Sequence, residues 1–167
     1  DEFHAGVKRL ETVNTDWFDI LYRTPLSQSH SVSFSGGDDR TTYRASFGYR
    51  NQQNTAKGNG QVGYTGNLNL SAIFWNKLTI NGSLSGSHTE TEAFASGVDP
   101  YSYAINTSRV IACYDGDDLF YYDKNGYNYN ILNELSNSGN ENTAKSLNLN
   151  LSARWLLTES LTLSATL

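Results

Sequence analysis

The sequence predicts an all-β fold of antiparallel hairpins, in which about six strands form part of a transmembrane β-barrel with one long extracellular loop. Three observations support this prediction. Apolar and polar residues alternate in three regions, the polar residues of those regions are almost all small and uncharged, and short turns alternate with long connections. Strict alternation is typical of strands with one apolar and one polar face, because successive side chains point to opposite faces.

The three alternating regions predict hairpins at residues 29–50, 64–88 and 146–167. In the first hairpin every second residue is apolar or aromatic: His30, Val32 and Phe34, then Tyr43, Ala45, Phe47 and Tyr49. The second hairpin has the same pattern at Leu68, Leu70, Ala72, Phe74, Leu78, Ile80 and Leu84, with Ile73 as an exception. The third has it at Leu147, Leu149, Leu151, Ala153, Trp155, Leu161, Leu163 and Ala165.

A soluble β-sandwich also alternates, so alternation alone does not separate it from a barrel. The polar positions are mostly Ser, Thr, Asn and Gly, which suits a lumen better than a solvent-exposed face. Connections are short at residues 36–41, 75–77 and 156–160 and longer at 51–63 and 88–145, as in outer-membrane barrels. Aromatic residues near strand ends could form interfacial girdles: Phe34, Tyr43, Tyr49, Tyr64, Phe74, Trp75 and Trp155.

Composition excludes several classes of protein. The net charge is −5, and no basic track interleaves with aromatic residues, so nucleic acid is not an expected partner. Cys113 is the only cysteine, which leaves neither an internal disulfide nor a cysteine-based zinc site, and its role stays open. No apolar run is long enough for a helical membrane span.

The long connection at residues 88–145 is rich in tyrosine, which argues against disorder. Tyrosines offer a flat apolar face and a polar tip, so six of them are candidate contacts for a ligand or a lid protein: Tyr101, Tyr103, Tyr114, Tyr121, Tyr122 and Tyr127. The alternative is that they pack the loop against itself. Residues 130–135 predict a short helical turn, and residues 115–118 and 123–126 predict tight acidic turns. The second of these turns lacks the ligands of a calcium loop, so we expect no metal site.

The leading segment, residues 1–28, shows no sustained period. A cluster of apolar residues in it predicts a buried anchor: Trp17, Phe18, Ile20, Leu21 and Tyr22. Pro25 interrupts the element that they form.

Several runs carry a family resemblance. The first is Asn14, Thr15, Asp16 and Trp17 followed by residues 22–24, and further matches lie at residues 33–37, 42–49, 64–69, 99–104 and 129–135. In this order and spacing they resemble the SusC/RagA family of TonB-linked outer-membrane receptors of Bacteroidetes.

The resemblance implies a piece of a 22-stranded barrel that a plug domain closes, located in the bacterial outer membrane and in contact with its lipid. Residues 1–28 would join the plug to the barrel, and residues 29–167 would be partial barrel. It also implies a SusD-like lipoprotein partner, a TonB complex engaged through parts absent from this chain, a glycan or peptide substrate and no cofactor. Since so few strands cannot close a barrel, we expect the isolated chain to self-associate.

The leading functional hypothesis is therefore nutrient transport, in which this segment supplies barrel wall and an extracellular loop. The rival is a soluble β-sandwich that acts as a carbohydrate-binding or adhesin-like module. An enzyme is not expected, because His4, His30 and His88 lie far apart and neither G-x-S-x-G nor H-E-x-x-H occurs.

Overall fold

The structure, a computed structural model, describes residues 2–95 and 97–167. Its elements follow in chain order: α1 (Glu2–Thr12), α2 (Trp17–Leu21), β1 (Ser27–Gly37), β2 (Thr41–Gln53), β3 (Gly60–Phe74), β4 (Leu78–Phe94), α3 (Pro100–Asn106), β5 (Tyr114–Asp115), β6 (Asp118–Leu119), β7 (Tyr122–Lys124), β8 (Tyr127–Tyr129), α4 (Ile131–Asn137), β9 (Gly139–Thr158) and β10 (Leu161–Thr166).

The described chain divides into two compact units. The sheet unit consists of Ser27–Gln52, Gln61–Thr91 and Asn142–Leu167. The helical unit consists of the segment that ends at Leu26 together with Gln53–Gly60 and Glu92–Glu141. It contains the four helices and the two small hairpins β5–β6 and β7–β8.

The sheet unit is built on one six-stranded sheet with the strand order β1-β2-β3-β4-β9-β10. Neighbours in the sheet are neighbours among the long strands of the chain, as in a meander of hairpins. The predicted fold class of antiparallel strands is confirmed. Outside this sheet the described residues form only two sheets of two strands each, so the sandwich alternative has no second large sheet in that part of the chain.

The register keeps apolar residues on one face. In the β1–β2 pair His30 lies opposite Tyr49, and Val32 lies opposite Phe47. In the β9–β10 pair Leu163 lies opposite Trp155. Directly opposite residues of antiparallel strands point to the same face, so each pair places two apolar side chains side by side.

The strands are longer than the alternation predicted. β2 and β3 extend into the predicted connection at 51–63 and leave only residues 54–59 outside the strands. β4 continues to Phe94 and β9 begins at Gly139, so both extend into the predicted loop at 88–145. The added segments, such as residues 89–92 with the sequence Thr-Glu-Thr-Glu, carry polar side chains on both faces. Hydrophobic periodicity cannot detect such strands, because backbone hydrogen bonds need no apolar face. The division into residues 1–28 and 29–167 stays a prediction.

The leading segment contains two helices that its weak pattern did not predict. Phe3, Val7 and Leu10 of α1 follow the i, i+4, i+7 spacing of a helix face, and this spacing was the missed signal. Asp16 caps α2 by accepting hydrogen bonds from the backbone N–H groups of Phe18 and Asp19. Of the predicted anchor, Trp17 and Leu21 are buried, whereas Phe18 is 45% exposed. No helix within the described residues is long and apolar enough to cross a membrane.

The two outer strands of the sheet, β1 and β10, each pair on one side only among the described residues. Unpaired N–H and C=O groups at such edges bind further strands. We therefore expect the isolated 167-residue chain to form dimers or larger species in detergent-free buffer, measured by size-exclusion chromatography with light scattering over a dilution series. A strictly monomeric chain at all concentrations would contradict this expectation.

Candidate binding site in the helical unit

The helical unit is organised around a small core. Its buried residues come from α2, α3, α4 and the segment before β5: Trp17, Leu21, Tyr103, Ala104, Cys113 and Ile131. Trp17 and Tyr103 meet edge to face, with 5.0 Å between the ring centroids and an interplanar angle of 87°. This geometry is favourable for aromatic pairs, and it joins α2 to α3.

Residues 14–17 bind the backbone of residues 108–111. The N–H of Thr15 donates to the carbonyl of Arg109 over 2.8 Å, and its hydroxyl donates to the carbonyl of Ile111 over 2.7 Å. The indole Nε1 of Trp17 donates to the carbonyl of Ser108 over 3.2 Å. In return, the Arg109 side chain donates to Asn14 Oδ1 over 2.9 Å and reaches Asp16 Oδ2 at 3.3 Å.

Residues 54–58 bind the end of α2. The ammonium of Lys57 donates to the carbonyls of Asp19 and Ile20, each over 2.8 Å. A cation is favourable at this place because the last carbonyls of a helix carry partial negative charge and have no partner within the helix. An isolated antiparallel β-bridge between Tyr22 and Ala56 extends this contact.

Asn130 connects three segments of the unit. Its side chain is 3% exposed, and its Nδ2 donates to the carbonyls of Cys113 and Phe120, each over 2.9 Å. Its Oδ1 accepts from the N–H of Leu132 over 2.8 Å, which caps α4. The residue therefore uses both of its donor hydrogens and its acceptor inside the protein.

Cys113 is a core residue. It is 3% exposed, and burial raises the pKa of its thiol, while the nearby side chain of Asn130 lowers that pKa in part. A buried thiol with a raised pKa is unreactive and packs as a small apolar residue.

Tyrosines and a lysine cluster beside the core. The ring centroids of Tyr103 and Tyr129 are 5.8 Å apart, and those of Tyr122 and Tyr129 are 5.9 Å apart. The ammonium of Lys124 lies 4.0 Å from the ring centroid of Tyr129 and 5.8 Å from that of Tyr103. Burial first, and Tyr122 second, raise the pKa of Tyr103 well above its usual range, and burial also raises the pKa of Tyr129.

This cluster forms one wall of a cavity of about 600 Å³ within the helical unit. The other walls come from α3, from the residues that flank it and from β7. Among the described residues, the lining consists of Gly97, Asp99, Ser102, Tyr103, Asn106, Thr107, Ser108, Ile111, Tyr122, Lys124 and Tyr129. A cavity of this volume, with aromatic faces and several hydroxyl and amide groups, is within the range of small-molecule sites.

The six tyrosines proposed from sequence fall into two groups. Four are exposed on the surface: Tyr101, Tyr114, Tyr121 and Tyr127. Tyr103 is 7% exposed and packs in the core, Tyr122 is partly buried, and both line the cavity. Sequence reasoning missed Tyr129 and Lys124, although the spacing of the β7–β8 hairpin places Tyr122 opposite Tyr129. Ligand contact by these residues stays a prediction.

The sheet unit presents two different faces. On the polar face, small side chains bond across neighbouring strands: Asn67 to Ser46, Ser71 to Asn81, and Ser87 to Ser146. On the other face large apolar residues are exposed: Val32, Phe34, Phe47, Leu68, Leu70, Leu147, Leu149, Leu151 and Leu163.

An aromatic row crosses the apolar face near one end of the strands. It contains one ring from each of β1 to β4, in the order His30, Tyr49, Tyr64 and His88. The successive ring centroids are 6.3, 5.3 and 6.3 Å apart. Phe74 and Trp75 pair at the opposite end of β3, at a centroid distance of 5.9 Å.

Known proteins are similar to this chain in sequence and in fold. The chain is 31% identical over 128 residues, or 73% of its length, to the TonB-dependent receptor SusC of Bacteroides thetaiotaomicron. This chain is a homologue of SusC. The predicted family resemblance is thereby confirmed, although no family model matches the chain. The SusC homologue spans only 12% of the length of that relative.

Solved structures show the same fold as the SusC homologue. A chain of the RagAB peptide transporter superposes with a TM-score of 0.71 at 24% identity, over 92% of this chain and 18% of the other. A chain of the RagAB peptide importer in its open-open state gives a TM-score of 0.70, also at 24% identity, over 92% of this chain and 19% of the other. Both units of the SusC homologue therefore lie largely within the matched region.

Asn130 tests the organisation of the helical unit. Asn130→Asp keeps an acceptor for Leu132 but loses the donors to two carbonyls, so we expect it to destabilise the unit by about 2 kcal/mol or more. Asn128→Asp, at an exposed position of β8, is the matched control and should cost far less. Hydrogen exchange of the backbone amides in the helical unit measures the destabilisation caused by each substitution. Equal protection in the two variants would show that the Asn130 donors do not hold the unit together.

The raised pKa of Tyr103 predicts that the stability of the folded state falls at alkaline pH. Its pKa is raised on folding, so its contribution to stability is complete below the unfolded value near 10 and is lost as the pH rises above it. Tyr103→Phe should reduce this loss between about pH 9 and 11, and at neutral pH it should change stability by less than about 1 kcal/mol, because the hydroxyl makes no hydrogen bond. Urea unfolding against pH measures the effect, with Tyr127→Phe as the exposed control. An unchanged alkaline loss in Tyr103→Phe would contradict the assignment.

Proposed function

We propose that the chain is part of the outer-membrane wall of a TonB-dependent nutrient receptor, with the sheet unit as barrel wall and the helical unit as an extracellular loop. One observation carries the proposal. The sheet of this SusC homologue has a large exposed apolar face and an opposite face of mostly small neutral residues, with Arg44, Arg50 and Arg154 among them. A soluble protein would cover the first face, whereas a bilayer solvates it.

The polar face suits the lumen of a pore. Its Ser, Thr and Asn side chains bond to one another across strands, and they carry hydrogen-bonding groups for water or a polar substrate. The small side chains leave room for a polar solute, and Arg44, Arg50 and Arg154 add positive charge to this face. A glycan or peptide could therefore pass along such a wall.

The apolar face has a height that suits a membrane. Tyr64 in the aromatic row and Phe74 at the other end of β3 are about ten residues apart, which corresponds to roughly 34 Å along an extended strand. With the strand tilt of about 40° common in membrane barrels, the vertical distance is roughly 26 Å, close to the apolar band of about 25 Å in outer-membrane barrels. The two sets of aromatic residues would then lie at the two interfaces.

The proposal includes the partners that such a receptor would use. They are a SusD-like lipoprotein, outer-membrane lipid, a glycan or peptide substrate, and a TonB complex bound through parts outside this chain. The exposed tyrosines are the proposed contacts for the lipoprotein or the substrate: Tyr101, Tyr114, Tyr121 and Tyr127. The relatives are described as a receptor and a peptide transporter, and we propose no catalytic activity.

A pair of lysine substitutions tests the membrane orientation. Leu68 and Asn69 are adjacent on β3 near the middle of the apolar band, and they point to opposite faces. Leu68→Lys should cost about 2–4 kcal/mol of membrane-assembled stability, because it places a charge against lipid at mid-depth. Asn69→Lys, against the lumen, should cost much less.

The measurement is the amount of folded protein in outer-membrane fractions of the native host, together with its heat-modifiable migration on gels. Unsubstituted protein recovered in the soluble periplasm would overturn the proposed function. A greater loss for Asn69→Lys than for Leu68→Lys would reverse the assignment of the two faces.

A further inference from the structure

We infer that the cavity of the helical unit is a binding site for a carboxylate, with Lys124 as the residue that receives it. The inference rests on the proposed function only for the origin of the ligand, a peptide or an acidic glycan. The site itself follows from three observations: an unpaired cation, an occupied carboxylate and a buried hydroxyl without a partner.

Lys124 is an exposed cation that lies against aromatic rings without a counter-ion. Its ammonium lies 4.0 Å from the ring centroid of Tyr129 and 5.8 Å from that of Tyr103, and these cation–π contacts favour this position. Among the described residues, no carboxylate lies within ion-pair distance of it. A cation held in this way favours an anionic partner, because the rings attract the ammonium but leave its net charge unneutralised.

Asp99 is the carboxylate in the described cavity lining, and its oxygens are already occupied. Oδ1 accepts from the N–H groups of Tyr101 and Ser102, over 3.0 and 3.1 Å, and Oδ2 accepts from the hydroxyl of Ser102 over 2.6 Å. These bonds lower the pKa of Asp99 and keep it ionised. Asp99 therefore stabilises the start of α3 and does not serve Lys124.

The hydroxyl of Tyr103 is the second independent sign of a ligand. Tyr103 is 93% buried and lines the cavity, and its hydroxyl makes no hydrogen bond of good geometry, although Tyr122 and Thr107 lie beside it. Buried hydroxyls are normally paired, and this oxygen is inaccessible to solvent, so it would gain a partner only when a ligand or water displaces the side chains around it.

A carboxylate suits the cavity better than a phosphate or a neutral sugar. The negative charge of Asp99 disfavours a phosphate dianion, and a single lysine cannot neutralise one. A neutral sugar would leave the ammonium of Lys124 unpaired. A singly charged carboxylate pairs with Lys124, while Asn106, Thr107 and Ser108 offer hydrogen bonds to the rest of the ligand.

The test uses the natural polypeptide, purified from its host in detergent. Calorimetry measures binding of each probe. The probes are trialanine against trialanine amide, and digalacturonate against neutral digalactoside. We expect at least one acidic probe to bind about tenfold or more tightly than its neutral counterpart, and this preference to weaken in high salt. Which acid binds then identifies the ligand as peptide or sugar.

Variants assign the effect to Lys124. Lys124→Met should weaken binding of the acidic probe about tenfold and leave the neutral probe unchanged, whereas Lys124→Arg should retain most of the binding. Lys145→Met removes an exposed lysine of β9 and should have no effect. Unchanged circular dichroism shows that each variant is folded.

Equal binding of acidic and neutral probes, no binding of either acid, or full binding by Lys124→Met would overturn the inference. These failures are separate from failure of the proposed function, because they leave outer-membrane recovery and the Leu68 and Asn69 results unaffected. Conversely, acid-selective binding by a protein found in the periplasm would support the site and overturn the transport role.

Discussion

Strand register is the constraint on which the sheet unit depends. A shift of one residue in any strand would move its apolar side chains to the polar face. The observed pairs His30 with Tyr49 and Leu163 with Trp155 keep the two faces distinct. None of the described core residues belongs to the sheet unit, so a buried core does not set its register. The backbone ladder, the cross-strand pairs and the medium on each face must do so, and this is the situation of a membrane barrel.

The helical unit depends on a different interaction, the contact between residues 14–17 and residues 108–111. Asn14 and Arg109 are 95 positions apart, but the cost of closing such a loop grows only with the logarithm of its length. One backbone hydrogen bond, two side-chain hydrogen bonds to backbone carbonyls and the buried ring of Trp17 together offset that cost. This gives a structural role to the run Asn14, Thr15, Asp16 and Trp17, which carries part of the family resemblance. Each of these residues has a partner within residues 108–111.

Local patterns predicted the parts of the fold that have a local cause. Alternation predicted the hairpins, and the acidic turns appear as the β5–β6 and β7–β8 hairpins. The strand segments beyond His88 and before Ser146 were missed because both of their faces are largely polar. The site was harder to predict. The position of Lys124 near Tyr103 depends on how the β7–β8 hairpin packs on α3, and the double role of Asn130 depends on two carbonyls in other segments. Sequence spacing contains neither distance.

The two units place their charged and neutral groups differently, and this bears on how a receptor could combine permeation with selectivity. The polar face of the sheet offers mainly hydroxyl and amide groups, which exchange hydrogen bonds with water at little net free energy and so discriminate poorly among polar solutes. The helical unit holds an unpaired cation, aromatic faces and a buried hydroxyl within one cavity. Such groups discriminate more strongly, because a ligand that does not match them leaves the Lys124 ammonium without an anionic partner. If the proposed function holds, the helical unit recognises the solute and the sheet unit forms the wall of its passage. Substitutions in the helical unit should then change affinity without changing passage along the wall.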